Sequence, residues 1–319
     1  MRVVIALGGN ALLRRGEPLT AEVQRRNVQI AVGSIAEIAR SHTVVVTHGN
    51  GPQIGLLALQ AESLRESRTF SLDVLGAESE GMIGYVIEQE LINELPDRPV
   101  ATLLTQMCVD PEDPAFASPS KPIGPLYTED EAKRLESVTS WAIGPDGDGY
   151  RRLIASPEPV RIIELSTIEL LVEAGVIVVC LGGGGIPVAE TPSGALVGVE
   201  AVVDKDLAAA LLATELGADA LLLLTDVDAV YDGWGTPRAT PLGVCAPDEL
   251  RAREFERGSM GPKVEAALRF AEATGGIAGI GCLEDAPAIL LGRKGTIVRR
   301  PGERLESRSP RGKARSARR

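Results

Sequence analysis

The chain has 319 residues, 44% of them hydrophobic, enough for one large α/β domain or two lobes with a sizeable core. Its net charge of −11 argues against nucleic acid as a main partner. Cys108, Cys180, Cys245 and Cys282 lie far apart without CxxC or metal-ligand spacing, so buried free thiols in a reducing compartment are expected rather than disulfides or a metal site.

The first predicted strand, VVIALGGN at 3–10, runs from apolar residues into glycine and asparagine, and no signal-peptide anatomy precedes it. Residues 20–40 predict an amphipathic helix, with Val23, Val28, Ile35 and Ile38 spaced for one face. A second strand at 43–47 ends in the same way, VVVTHGNGP covering 44–52. Helices are expected at 52–66 and 73–94, the latter carrying Leu75, Met82, Ile83, Val86 and Leu91. A strand near 99–105 completes an α/β first half.

Residues 109–160 are rich in proline, glycine and acids, as in DPEDPAFASPSKPIGPL and GPDGDG. No long period survives there, which predicts a small subdomain of hairpins and turns projecting from the body. The α/β rhythm then resumes, with a helix at 164–174 and a third glycine-ended run, VIVVCLGGGG at 176–185. Its glycines and a proline break the uncharged stretch 174–189, which is too short to span a bilayer, so a soluble, cytoplasmic protein is expected. A helix starts at Asp204, a strand covers 220–227, a helix covers 262–274, and short strands lie near 277–281 and 295–298. This alternation predicts a three-layer α/β fold with a mostly parallel sheet. Residues 299–319 carry nine Arg or Lys against two Glu and almost no apolar content, and read as a disordered basic tail.

Strands that end in glycine let the backbone turn and approach a ligand, and the free N–H groups of the following helix favour anions. Three such junctions at the carboxyl edge of one sheet would line a crevice for a phosphorylated ligand. The lysines sharpen this. Against 27 arginines there are only six, so a retained lysine is one that a compact point charge suits. Lys121 in SPSKPIGP, Lys205 in VVDKDLAA and Lys263 in GSMGPKVEAA sit in unusual local sequence. Lys205 and Asp206 fall in the first turn of a helix whose N-cap is Asp204, and Lys263 follows Gly258, Gly261 and Pro262 just before another helix. Two lysines at two helix starts could hold a transferring phosphoryl group from both sides. Only His42 and His48 exist, GxxxxGK[ST] is absent, and the first glycines read GGN rather than GxGxxG. These facts weigh against histidine-based hydrolysis, a P-loop and a dinucleotide fold.

The chain resembles the carbamate kinases of the amino acid kinase superfamily. The resemblance rests on ALGGNAL (6–12), THGNGPQIG (47–55), LDVLGAESEGMIGY (72–85), SPSKPIGP (118–125), SPEPVRIIE (156–164), GGGGIPV (182–188), VDKDLAA (203–209), LTDVDAVY (224–231) and GSMGPKVEAA (258–267). It implies a three-layer αβα sandwich within 1–298, with two lobes and a protruding subdomain at about 109–160. Residues 1–165 would form the substrate side and 166–298 the nucleotide side. It implies reversible phosphoryl transfer between ATP and carbamate, used to make ATP from carbamoyl phosphate in arginine metabolism, by a homodimer. Gly8, Gly9, Asn10, Gly49, Asn50 and Gly51 match the substrate-side loops. Lys121, Lys205, Asp206 and Lys263 match the catalytic set, with Lys121 reaching over the site. Thr225, Asp226, Tyr231, Met260, Gly261 and Pro262 fall in nucleotide-binding segments. Mg²⁺ would be held mainly by nucleotide phosphates rather than by a protein cage. Ala6 stands where many amino acid kinases carry a lysine, a difference that favours carbamate kinase over acetylglutamate and uridylate kinases. Two alternatives stay open here. One is another small-acid kinase of the same fold, separated by which acceptor turns over. The other is a non-enzymatic metabolite sensor, which would have no use for all four catalytic-type residues.

Overall fold

In the computed structural model, which describes residues 1–13, 17–18, 20–63, 70–139, 141–255 and 260–302, the apolar runs become the centre of one eight-stranded sheet. Its strands are β1 (Arg2–Leu7), β2 (Thr43–His48), β3 (Val100–Thr102), β4 (Ile177–Val179), β5 (Ala220–Thr225), β6 (Val244–Cys245), β7 (Ile277–Cys282) and β8 (Thr296–Val298). They lie in the order β6-β8-β7-β5-β1-β2-β4-β3, and every neighbouring pair is parallel except β7 with β8. Central β1 sets Val3 opposite Ala220 on one side and Val44 on the other.

Side chains of a strand alternate between faces, so β1 feeds two cores. Val4 and Ala6 join a core closed by α5 (Leu165–Glu173), α6 (Lys205–Glu215) and α7 (Met260–Thr274), through residues such as Ile168, Leu212 and Phe270. Val3, Ile5 and Leu7 join a second core closed by α1 (Ala21–Ala39) and α3 (Leu72–Glu94), through Ile35, Ile83 and Ile87. Strands buried on both faces need no polar alternation, which is why their sequences read as unbroken apolar runs. The result is the expected αβα sandwich.

A third, smaller core fastens the three-stranded sheet of the 109–160 segment. That sheet is antiparallel, with Gly149–Ile154 between Lys121–Tyr127 and Ala142–Asp146. Ile123 and Ile154 from this sheet meet Ile54 and Ala58 of α2 (Gly51–Ser63) and Val202.

Two expectations are corrected. The segment 109–160 is not only hairpins and turns, because α4 (Glu129–Val138) lies within it. Its start is a capping box in which Thr128 and Glu131 bond reciprocally, and of its described side chains only Ala132 is buried. Thr128 with Glu131 three residues on is a helix-start signal in the sequence, and the proline- and glycine-rich flanks masked it. The strand expected at 99–105 is shorter, Val100–Thr102. Leu103 N–H still donates to Val179 O of the main sheet at 2.9 Å, and a further strand, Gln106–Cys108, then pairs with Ile186–Glu190 in a separate four-stranded sheet. The Thr105 amide between them donates to the Glu80 carboxylate at 3.2 Å rather than to a ladder.

Helix α7 also starts earlier than expected, so Met260, Gly261, Pro262 and Lys263 lie in its first turn. Gly258, the end of the expected helix at 52–66, and the tail from 303 lie outside the described residues. Cys108, Cys180 and Cys245 are buried free thiols, whereas Cys282 is half-exposed. Among the described residues no helix is long and apolar enough to cross a membrane.

Candidate functional site

Neighbouring strands β5, β1 and β2 are parallel, so their carboxyl ends open at one edge of the sheet. There β1 passes into Gly8 and Gly9, β2 into Gly49, Asn50 and Gly51, and β5 ends at Thr225. The loops are drawn together by backbone bonds, Gly8 N–H to Leu224 O and Gly49 N–H to Leu7 O, both 2.9 Å. A Cβ on Gly49 would stand 2.9 Å from the Gly9 nitrogen and 3.2 Å from Cδ of Lys205, so glycine is what admits the lysine stem.

Strand β4 leaves into Leu181–Gly185, where Leu181 (φ 52°) and Gly183 (φ 68°) adopt left-handed backbone. A Cβ on Gly183 would fall 2.2 Å from Nδ2 of Asn50. The three glycine-ended runs therefore do meet around one cleft, a cavity of about 230 Å³.

Three lysines reach it from different elements. Asp204 caps α6, its Oδ1 accepting from the amides of Asp206 (2.9 Å) and Leu207 (3.3 Å). The cap points Lys205 and Asp206 into the cleft from the helix's first turn. Asp206 then takes both ammonium groups: Lys205 Nζ donates to Oδ1 at 2.5 Å, and Lys263 Nζ, from the first turn of α7, donates to Oδ2 at 3.2 Å. Lys121 of strand Lys121–Tyr127 donates to Asp204 Oδ2 at 3.0 Å and to the Val203 carbonyl at 3.2 Å.

These groups are largely shielded from water, with side-chain exposures of 13% for Lys205, 4% for Asp206 and 10% for Lys263. Burial pulls the Lys205 ammonium below its ordinary pKa, against the attraction of Asp206. Burial acts likewise on Lys263, but Asp206 outweighs it and the pKa rises. Burial also opposes ionisation of Asp204, yet Lys121 and Lys205 beside it hold that carboxyl well below the usual range. The arrangement is a cluster of preorganised cations at the edge of a water-poor cleft, suited to an anionic ligand and to charge moving across it.

A second layer supports the loops from α3. Ser79 accepts from Asn50 Nδ2 at 2.8 Å. Glu80 accepts from the amide of Gly182 at 2.8 Å, besides that of Thr105. Burial pushes the Glu80 carboxyl up to about 8 and holds the fully buried His48 imidazole down to about 4, so His48 is neutral at pH 7.

Of the residues expected at the site, Gly8, Gly9, Gly49, Asn50, Gly51 and Lys121 line this cleft. So do Lys205, Asp206, Thr225, Pro262 and Lys263. Four residues expected on the nucleotide side are not among its lining. Asp226 accepts from the Thr225 hydroxyl at 3.0 Å, and Tyr231 bonds Asp228 through its hydroxyl and packs 5.2 Å from Trp234. Met260 packs against the core beneath α7, and Gly261 shares the first turn of that helix. The side chain of Asn10 lies outside the described residues. The sequence reading missed Asp204 as the partner of Lys121, and it missed Glu80. Glu80 had a signal: with Ile83, Ile87 and Leu91 it falls on the buried stripe of its helix, where an acid needs a reason.

A profile of the amino acid kinase family matches residues 1–280. The chain is 54% identical over 301 residues to a carbamate kinase of Rhizobium meliloti, covering 93% of each chain. It is 53% identical over 304 residues to a carbamate kinase of Haemophilus influenzae, covering 95% of this chain and 98% of the other. Its structure resembles a carbamate kinase from Giardia lamblia bound to AMP-PNP, at a TM-score of 0.86 and 40% identity, covering 94% and 98% of the two chains.

Proposed function

The chain belongs to the amino acid kinase family, and we infer that within it the protein is a carbamate kinase, transferring a phosphoryl group reversibly between ATP and carbamate. The observation that carries the reading is the convergence of Lys121, Lys205 and Lys263 on one glycine-lined cleft, with Asp206 between the last two. In this reading Gly8, Gly9 and Gly49–Gly51 cradle carbamate and the phosphoryl group. The nucleotide lies on the side of Thr225, Asp226, Tyr231 and Met260–Pro262. The Giardia relative bound to AMP-PNP supports an ATP site in the same fold.

Carbamate is already an anion, so its oxygen attacks the γ-phosphorus without a general base. The new P–O bond forms as the bond to the β,γ-bridging oxygen breaks, and ADP leaves carrying the electron pair. Nothing has to be deprotonated, which suits a cleft with no histidine among its described lining residues. Lys205 and Lys263 stabilise charge on the phosphoryl oxygens during transfer, Asp206 holds the two ammonium groups apart at fixed positions, and Lys121 covers the acceptor side. Asp204 and Asp206, the carboxylates lining the cleft among the described residues, are both engaged by lysines, so a Mg²⁺ ion would be held mainly by the nucleotide phosphates, whose charge it would neutralise.

The ATP-forming direction, a cytoplasmic location, a place in arginine metabolism and a homodimer complete the reading. The dimer is supported by exposed Val74, Met82, Tyr85 and Ile92 along α3, with Phe70 just before it. An acceptor panel tests the reading: ATP consumption should be seen with carbamate and not with N-acetylglutamate or UMP. Turnover of either of the latter in place of carbamate would overturn it.

A further inference from the structure

Helix α2 and strand Lys121–Tyr127 touch backbone to backbone. A Cβ built on Gly55 would stand 2.2 Å from Cα and 2.5 Å from N of Gly124. Gly124 itself has φ +79°, a conformation that side chains avoid, so the contact has hydrogen on both faces. Carbon atoms pack at about 3.5–4 Å, so a single methyl at 55 would require the two backbones to part by more than about 1 Å.

The side that yields is the three-stranded sheet. The loop that leads into α2 is tied to the body through Gly49 N–H to Leu7 O and through Asn50 Nδ2 to Ser79 of α3. The three-stranded sheet is held to α2 by the small cluster around Ile54, Ala58, Ile123 and Ile154, outside both main cores. Lys121 is three residues before Gly124 on the same strand, and Lys121, Pro122 and Ile123 stay paired with Ile154, Leu153 and Arg152 before the register shifts beyond Ile123, so a displacement at Gly124 is carried to Lys121 through that paired segment.

We propose that Gly55 is a positioning residue: its missing side chain seats strand Lys121–Tyr127 at the depth from which Lys121 reaches the cleft. The inference rests on the reading of Lys121 as a group that acts on carbamoyl phosphate.

The experiment is a double-mutant cycle. Gly55→Ala, Lys121→Ala and the double variant are assayed for kcat and for KM of carbamoyl phosphate and of ADP, with melting temperature alongside. Gly33→Ala, at a helical position with nothing within 4 Å of its Cβ, is the control for a glycine-to-alanine change in a helix. Gly55→Ala should raise KM for carbamoyl phosphate by about tenfold to 10²-fold, the upper figure being what an ångström misplacement can cost, and leave KM for ADP as in wild type. The double variant should match Lys121→Ala, because Gly55 acts through that lysine. Wild-type kinetics in Gly55→Ala, losses that multiply in the double variant, or a Gly55→Ala protein that does not fold would each overturn the proposal. If Lys121→Ala is itself kinetically silent, the reading of Lys121 falls. A crystal structure of Gly55→Ala then decides the steric claim by whether strand Lys121–Tyr127 has moved off α2.

Discussion

Asp206 is the residue on which the cluster turns, since two ammonium groups share its carboxylate at 2.5 and 3.2 Å. Removing it leaves Lys205 and Lys263 buried with like charge and no common partner, so Asp206→Asn should lower kcat and loosen both side chains. Arginine should not rescue either lysine, because a wide planar fork does not fit a point-charge site. The losses of Lys205→Ala and Lys263→Ala should not multiply in the double variant, as the three groups act as one unit; kcat of the singles and the double checks this, and full multiplication would separate their roles. The lowered pKa of Lys205 adds a pH dependence. As pH rises through a value below the ordinary lysine range, the ammonium is lost and kcat should fall on the alkaline side.

Glu80 gives a second pH dependence, in stability. Its folded pKa of about 8 lies above its ordinary value of 4.5, so the folded state holds a proton that the unfolded chain has released. That contribution is full below about 4.5 and is lost as pH rises toward 8. The melting temperature of Glu80→Gln should accordingly vary less across that interval than wild type does, and an unchanged slope would show that Glu80 is ionised throughout.

At the scale of elements, the turn Leu181–Gly185 is the least tolerant piece. Gly183→Ala meets both a positive φ and the Asn50 side chain, so it should raise KM for carbamoyl phosphate while leaving KM for ADP unchanged. Equal effects on both would detach this turn from the acceptor side. The same scale shows what the sequence made legible. Runs such as VVIAL and LLLLT, buried on both faces, read as central strands, and the glycines after VVIAL, VVVTH and VIVVCL marked the sheet edge where ligands bind. Asp204 as a helix N-cap followed from residue type and position alone, and so did the placing of Lys205 and Asp206 in the first turn. Helix α4 was masked by the proline- and glycine-rich sequence around it although Thr128 and Glu131 marked its start, and the end of the main-sheet strand before Thr105 was hidden because it depends on Glu80, distant in sequence, capturing the Thr105 amide. The Lys121–Asp204 pair joins residues 83 apart and was invisible for the same reason.

At the scale of the whole molecule, the last strand ends at Val298 and the basic stretch beyond it carries little that could join a core. A chain ending at residue 302 should keep the melting temperature and kcat of the full chain, and a loss of either would mean that the tail packs on the body. The apolar face of α3 should bury itself in a dimer, so sedimentation equilibrium should give twice the 33.6 kDa chain mass and Tyr85→Glu should weaken association. The most direct measurement is the initial rate of ATP formation from ADP, Mg²⁺ and carbamoyl phosphate by the full chain, beside Lys205→Ala and Lys263→Ala with melting temperatures as a folding control. The wild-type chain should show saturable ATP formation, and each variant should lose about 10²–10³ in kcat while remaining folded. An inactive wild-type chain, or alanine variants at the wild-type rate, would contradict the account.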